Sequence, residues 1–331
     1  MRALAELIDE VWYGRHPLAY ALAPISTMFG TAVRLRRRAY DTGLLSTYQA
    51  PVPVIVVGNL SVGGTGKTPL VIWLVERLRE KGLKPGIVAR GYQGRARNWP
   101  QQVRPDSDVE AVGDEALLLA RRTKCPVAVG PNRPQAVAAL LEHADIDLIV
   151  SDDGLQHYAL DRDIEIIVLD GDRRFGNQRC LPAGPLREPI SRARFADLVV
   201  ANGLSSRGEF SMRLTAERAV KLVSPSDSQT LESFAGESVA AIAGIGNPQR
   251  FFSLLTRHGL RVNSQPFPDH YRFRTSDLPN DGDQKIFMTE KDAVKCERFA
   301  DHRCWYVPVT AELPPVFSKR FDLLLEKIND R

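Results

Sequence analysis

The sequence predicts an α/β fold: a parallel sheet covered by helices on both faces, followed by a second, smaller α/β unit. Three observations carry this expectation. Short apolar, β-branched runs recur at Val54–Val57, Gly86–Ala89, Val127–Val129, Leu148–Val150, Ile164–Leu169 and Leu198–Ala201, with helical patterns at Lys67–Lys81, Asp114–Arg122 and Arg133–His143 between most of them. Such alternation marks a parallel sheet buried on both faces. The turn after the first run, within VVGNLSVGGTGKTPLVIWL (Val56–Leu74), is glycine-rich and carries Lys67 and Thr68, the form of a P-loop NTPase-type phosphate loop. The rhythm then breaks after Asn202 and resumes at Ser238.

A chain of 331 residues is long enough for about two domains. Its 44% hydrophobic and 25% charged content suits a folded core. The net charge of +4 is too small to argue for a nucleic-acid partner, and none is expected. Cys125, Cys180, Cys296 and Cys304 form no C-x-x-C pair, so neither a zinc knuckle nor a disulfide framework is indicated, and a reducing compartment fits. Glu6, Asp9 and Glu10 fall where the apolar core of a cleavable leader would lie, so no signal peptide is expected.

Residues 1–40 form the first division. Pro17–Val33 carries no charge, and Arg34, Arg36, Arg37 and Arg38 follow at once. The apolar stretch is short for a bilayer span and Pro24 interrupts it. One reading is a pair of helices lying on a membrane surface, with the arginines on anionic head groups. The other is a helical hairpin packed on the protein's own core.

Residues 41–208 hold the phosphate loop. Backbone N–H groups of a glycine-rich turn and the positive end of the following helix together attract phosphate. Ser61, Val62, Gly63, Gly64, Thr65, Gly66, Lys67 and Thr68 form this candidate site, with Lys67 directed at the β/γ-phosphates and the Thr68 hydroxyl at Mg²⁺. The usual spacing places a glycine where this chain has Ser61. Ser61 can serve if its φ is negative, with Gly63 and Gly64 supplying the flexibility one step later.

Asp152 and Asp153 follow the apolar run Leu148–Val150, where a P-loop enzyme holds Mg²⁺. A plain Asp-Asp-Gly turn is the alternative. ARGYQGR (Ala89–Arg95) offers Arg90 and Arg95 to an anion and Tyr92 to stacking, or is simply a solvated loop. Asp114 opens a helix and is either an N-cap or a general base, which a histidine partner would help. In the proline-rigid LPAGPLREP, Arg187 is a candidate phosphate contact and Glu188 a candidate Mg²⁺ ligand.

Residues 209–237 read as a two-stranded linker, with strands at Met212–Thr215 and Ala219–Val223. Residues 238–331 read as the second α/β domain, with strands at Ile286–Met288 and Trp305–Val307 and an amphipathic tail helix over Val316–Ile328. Within this domain FPDHYRF holds Asp269, His270 and Tyr271, and TEKDAVK holds Lys291 within reach of a phosphate across a cleft.

These stretches together resemble the tetraacyldisaccharide 4'-kinase family of lipid A biosynthesis. VGNLSVGGTGKTP, ARGYQGR, GDEALLLA, GPNR, SDDGLQH, GNQRCLPAGPLREP, GIGNPQRFF, FPDHYRF and TEKDAVK occur in that order along nearly the whole chain. The family's loop also lacks the first glycine. One departure is GNQRC, where the family pattern has glycine after Asn177 and leucine in place of Cys180.

The resemblance implies transfer of the ATP γ-phosphate to the 4'-hydroxyl of a tetraacylated glucosamine disaccharide 1-phosphate, giving lipid IVA. It implies ATP and Mg²⁺, and two α/β units with ATP in the cleft between them. It makes Asp114 the catalytic base with His270 as partner. Lys67 and Thr68 hold phosphate and Mg²⁺, Asp152, Asp153 and Glu188 line the metal site, and Arg133 and Arg187 contact phosphate. The implied partners are a membrane lipid and an anionic membrane surface, and the implied place is the cytoplasmic face of the bacterial inner membrane, peripherally, as a monomer. The competing classes are a P-loop ATPase acting on a partner protein, a kinase or ligase for a soluble metabolite, and a non-catalytic nucleotide-binding regulator.

Overall fold

The computed structural model describes residues 2–280 and 282–329, so Met1, Asp281 and residues 330–331, the outer ends of the terminal divisions among them, lie outside the described residues. The chain opens with helices α1 (Arg2–Tyr13), α2 (Leu18–Ala21) and α3 (Ala23–Asp41). The first sheet is then built by β1 (Val54–Gly58), α4 (Lys67–Glu80), β2 (Pro85–Ala89), β3 (Gln101–Val103), α5 (Val109–Val112), α6 (Asp114–Thr123), β4 (Val127–Val129), α7 (Arg133–His143), β5 (Leu148–Asp152), β6 (Ile164–Asp170), β7 (Leu198–Asn202) and β8 (Phe210–Thr215). A second sheet takes β9 (Arg218–Lys221), β10 (Ser228–Thr230), β11 (Ser238–Ala243), α8 (Pro248–Arg257), β12 (Arg261–Pro266), β13 (Ile286–Thr289), α9 (Glu290–Cys296) and β14 (Cys304–Val307). The chain closes with β15 (Thr310–Glu312) and α10 (Pro315–Asn329).

The first sheet runs β15-β8-β7-β6-β1-β5-β2-β4-β3, parallel from β8 to β4 with antiparallel strands at both edges. Every residue of β1, β2, β5 and β6 is buried, which explains why these strands read as mostly apolar runs. Alternate residues serve opposite faces: Ile55 and Val57 pack with α4 and α6, Val54 and Val56 with α7. The second sheet runs β10-β9-β14-β13-β11-β12 around its own core of Phe234, Phe251, Phe252 and Phe287. An α/β architecture with mostly parallel sheets was the expectation, and it holds.

The connections differ from the sequence reading in two places. The strands expected to form a two-stranded linker do not pair with each other. β8 extends the first sheet beside β7, and β9 joins the second sheet antiparallel to β14. The tail helix, expected in the second domain, packs on the first. Phe317, Phe321 and Leu325 recur every four residues and bury one stripe against the first core. Trp73 of α4 and Phe210 of β8 meet Phe317 edge-on at 5.4 and 5.3 Å, and Asp322 pairs with Arg77 at 2.6 Å. Amphipathicity reveals a buried stripe but not its partner. β15 carries the chain back by pairing with β8, so the backbone crosses between the units twice.

Helix α3 is two-sided. Its inner side lies on the Cys180–Phe195 segment: Ser26 Oγ donates to the Cys180 carbonyl at 2.7 Å, and Arg37 lies 4.1 Å over the Phe195 ring. Its outer side exposes Ile25, Met28 and Leu35. Among the described residues, no helix is long and apolar enough to cross a membrane.

Candidate active site at the interdomain cleft

The phosphate loop leaves β1 at Gly58 and enters α4 at Lys67. Its first half is strapped to the proline-rich segment: Val62 N donates to Pro185 O at 2.8 Å, and Arg187 N to Leu60 O at 2.6 Å. Ser61 is buried there and bridges to Leu186. Positive φ falls on Gly63 (109°) and Gly66 (93°), not on Ser61. A side chain at 61 is therefore unstrained, and the turn is made later. Asn59 and Asn202 donate from their side-chain amides to the carbonyls of Gly63 and Thr65, both at 3.2 Å, which fixes the loop from beneath. Gly64 faces the second unit, since a Cβ on Gly246 would fall 2.5 Å from Gly64 N.

Beside the loop sits the Asp152–Asp153 turn. Asp153, at φ 49°, receives Lys67 Nζ at 3.4 Å and Arg187 Nη1 at 3.0 Å. Burial alone would raise its carboxyl, but the Lys67 and Arg187 charges outweigh that and hold it well below the usual carboxylate range. Asp152 ends β5 with Oδ1 buried and without a hydrogen-bond partner. Burial, reinforced by Glu115, pushes its carboxyl up to about 7. A buried, unpartnered carboxylate oxygen costs free energy unless a cation meets it. Together with the Thr68 hydroxyl this is a hard oxygen donor set suited to Mg²⁺. Among the described residues, no three His, Cys, Asp or Glu side chains cluster as a cation cage, so phosphate oxygens and water would have to complete the coordination.

Two residues expected at the phosphates and the metal are placed otherwise. Arg133 is 1% exposed and donates to the carbonyls of Gly130 (2.8 Å) and Asp152 (3.0 Å). It shapes the backbone behind Asp152. Glu188 is equally buried, and its two oxygens are taken by Gln156 (3.0 Å) and the Tyr158 hydroxyl, with Arg192 at 3.8 Å. It anchors the segment that carries Arg187. In both cases the sequence shows a charged residue in a loop-like motif, but not which way it turns.

Asp114 and His270 come from different units and meet. His270 Nδ1 lies 3.2 Å from both Asp114 oxygens. Gly113 allows this, because a Cβ there would fall 2.5 Å from the Tyr92 carbonyl. His270 sits at φ 57°, with its ring 4.7 Å from that of Tyr92. Burial would raise the Asp114 carboxyl, but the His270 hydrogen bond and the charges of Lys291 and Lys295 bring it down to about 2. Arg90 and Arg95 are exposed.

Between the units lies a cleft of about 1060 Å³, lined on one side by Gly64–Thr68 and on the other by Ile245, Gly246 and Asn247, with Leu118, Met212 and Leu254 among its apolar walls. Sequence reading missed Arg250 of α8, which reaches Asp172 at 2.7 Å, Asp170 at 3.0 Å and the Asn202 carbonyl at 3.2 Å. The same Asn202 holds Thr65, so α8 is linked to the phosphate loop. No local pattern distinguishes such an arginine from a solvated one.

A family model for tetraacyldisaccharide-1-P 4'-kinase matches residues 18–326. The chain belongs to this family. The tetraacyldisaccharide 4'-kinase of Nitrosococcus oceani is 52% identical, over 99% of this chain and 96% of its own length. Enzymes of the same name from Legionella pneumophila and Vibrio cholerae are 46% and 47% identical, over 95% and 98% of this chain and 96% and 97% of their own lengths. The crystal structure of the family member LpxK from Aquifex aeolicus in complex with ATP superposes with a TM-score of 0.78 at 28% identity, covering 94% of this chain and 99% of that one.

Proposed function

We propose that this chain is a lipid kinase that transfers the γ-phosphoryl group of ATP to the 4'-hydroxyl of a tetraacylated glucosamine disaccharide 1-phosphate, giving lipid IVA. The observation that carries this is the Asp114–His270 pair, assembled from both units and joined through Lys291 to the cleft that the phosphate loop also lines. A hydrolase or regulator has no need of a base built from two domains.

The chemistry follows from the placement. Phosphoryl transfer through a loose transition state depends on alignment and charge neutralisation more than on a strong base. The phosphate loop and the α4 N-terminus hold the β- and γ-phosphates, with Lys67 beside them. Thr68, Asp152 and Asp153 are the residues to hold Mg²⁺, which when bound neutralises phosphate charge. The bond from the 4'-oxygen to the γ-phosphorus forms as the bridge to the β-phosphate breaks, and the hydroxyl proton passes to Asp114. His270 orients that carboxylate. Arg187, held near Asp153, supplies positive charge at the phosphates.

The acceptor is an acylated lipid, and the N-terminal helices suit it. Ile25, Met28 and Leu35 project from α3, with Arg34, Arg36 and Arg38 alongside. An apolar strip flanked by arginines is the make-up of a helix lying on an anionic membrane surface. We place the enzyme peripherally on the cytoplasmic face of the inner membrane, as a monomer.

Incubation of the protein with ATP, Mg²⁺ and the acylated disaccharide 1-phosphate in detergent is expected to add one phosphoryl group, seen by mass spectrometry and located at the 4'-position by phosphorus NMR. ATP hydrolysis without a modified lipid would refute the assignment.

A further inference from the structure

We propose that Lys291 is a positioning residue for the Asp114–His270 pair: it fixes the proton of His270 on Nδ1. The proposal rests on the reading of Asp114 and His270 as the base pair. Lys291 Nζ lies 3.3 Å from His270 Nε2. An ammonium has donors and no acceptor, so the nitrogen it meets must accept. With Nε2 accepting, the ring proton sits on Nδ1 and is donated to Asp114, which lies 3.2 Å away. The imidazole then carries one proton, and Asp114 stays a carboxylate held by a neutral donor, free to take the hydroxyl proton.

The surroundings keep Lys291 charged. Its ammonium also meets Glu115 Oε1 at 2.9 Å and Asp269 Oδ1 at 3.3 Å. Burial would lower it, but Glu115, Asp114 and Asp269 hold it well above the ordinary lysine range. The groups that meet the imidazole are Asp114 from α6, the Tyr92 ring from the loop after β2, Asp269 from its own turn and Lys291 from α9, with Glu115 one contact further out on Lys291 and Lys295 one further out on Asp114. Asp269 is the competitor, since a carboxylate would favour a proton on Nε2. It stands 3.8 Å from Nε2, farther than the ammonium, and already accepts the His270 backbone N–H at 3.0 Å.

Lys291 also spans the cleft, because Glu115 belongs to the first unit and His270 to the second. Docking of the units therefore brings the base together and sets its tautomer in one step. Without Lys291, Nε2 faces the Asp269 carboxylate alone, which favours a proton on that nitrogen.

The test is long-range proton–nitrogen NMR on histidine-labelled protein, which reads ring protonation without turnover. At pH 7.5 the intact protein is expected to show His270 with Nδ1 protonated and Nε2 bare. Lys291→Met is expected to show a proton on Nε2, and its kcat is expected to fall several-fold more than that of wild type between pH 8.5 and 6.5. A proton on Nε2 in the wild-type protein overturns the proposal. So does a Lys291→Met protein whose ring spectrum and pH profile are unchanged. The spectrum does not depend on the acceptor, so failure of the kinase assignment would be seen separately, as absence of phosphorylated lipid.

Discussion

At the scale of single residues, the site is a set of charges tuned against burial. The Asp114 carboxyl is brought from 3.8 down to about 2 in the folded chain. A depressed carboxyl stabilises the fold above its unfolded value and loses that stabilisation as pH falls from about 4 to 2, worth about 2 kcal/mol. Asp114→Asn is therefore expected to lower unfolding free energy by about that amount at pH 7, and the gap to wild type should close near pH 2. Urea unfolding at several pH values measures it, and a gap that persists at low pH would count against the pairing. A second case is Gln178. Its φ of 63° lies in the left-handed region that costs a non-glycine residue free energy. Gln178→Gly is expected to raise stability by about 0.5–1 kcal/mol, seen as a higher urea midpoint at unchanged slope. Residues whose chemistry needs a particular type at a particular spacing, such as Lys67, Thr68 and the Asp152–Asp153 pair, were legible in the sequence. The inward turn of Arg133 and Glu188 was not, because direction depends on partners far along the chain.

At the scale of elements, legibility followed burial. Strands β1, β2, β4, β5, β6 and β7 are built mostly of apolar residues and could be read directly, while short edge strands such as β3 and β15 carry little pattern. The tail helix shows the limit most clearly: its stripe was visible, its partner was not. Phe317 is fully buried against Trp73 and Phe210. Phe317→Ala is expected to cost about 3–5 kcal/mol, and because α10 belongs to the first core, unfolding of the first unit should shift with it. If calorimetry showed the loss confined to the second unit, α10 would be misplaced. The meeting of loops at Gly64 and Gly246 is equally specific. Gly246→Ala puts a methyl carbon 2.5 Å from Gly64 N, so one loop must retreat. The kcat/KM for ATP is expected to fall by up to about a hundredfold with the unfolding midpoint nearly unchanged, because a shift of about an ångström at a positioned phosphate can carry that penalty. Unchanged nucleotide kinetics would mean that the two loops yield freely.

At the scale of the whole molecule, two units grip each other by paired charges around a nucleotide-sized cleft. Arg250 reaches Asp170 and Asp172 on one side, and Lys291 reaches Glu115 on the other. α1 joins the same assembly through Arg173, which meets Asp9 and the Gly246 carbonyl, each at 3.4 Å. Met28→Glu combined with Leu35→Glu is expected to weaken binding to anionic vesicles at least about tenfold while leaving the fold intact, since both side chains face outward. Unweakened binding in a flotation assay would place the membrane contact elsewhere. The pairing of Asp114 and His270 across the two units remains the feature on which the kinase mechanism depends. Its most direct test is the kcat of His270→Ala at saturating ATP and saturating acylated disaccharide 1-phosphate. A fall of about a hundredfold or more, with the KM for ATP little changed, is expected for loss of a general-base partner; turnover equal to wild type would contradict it.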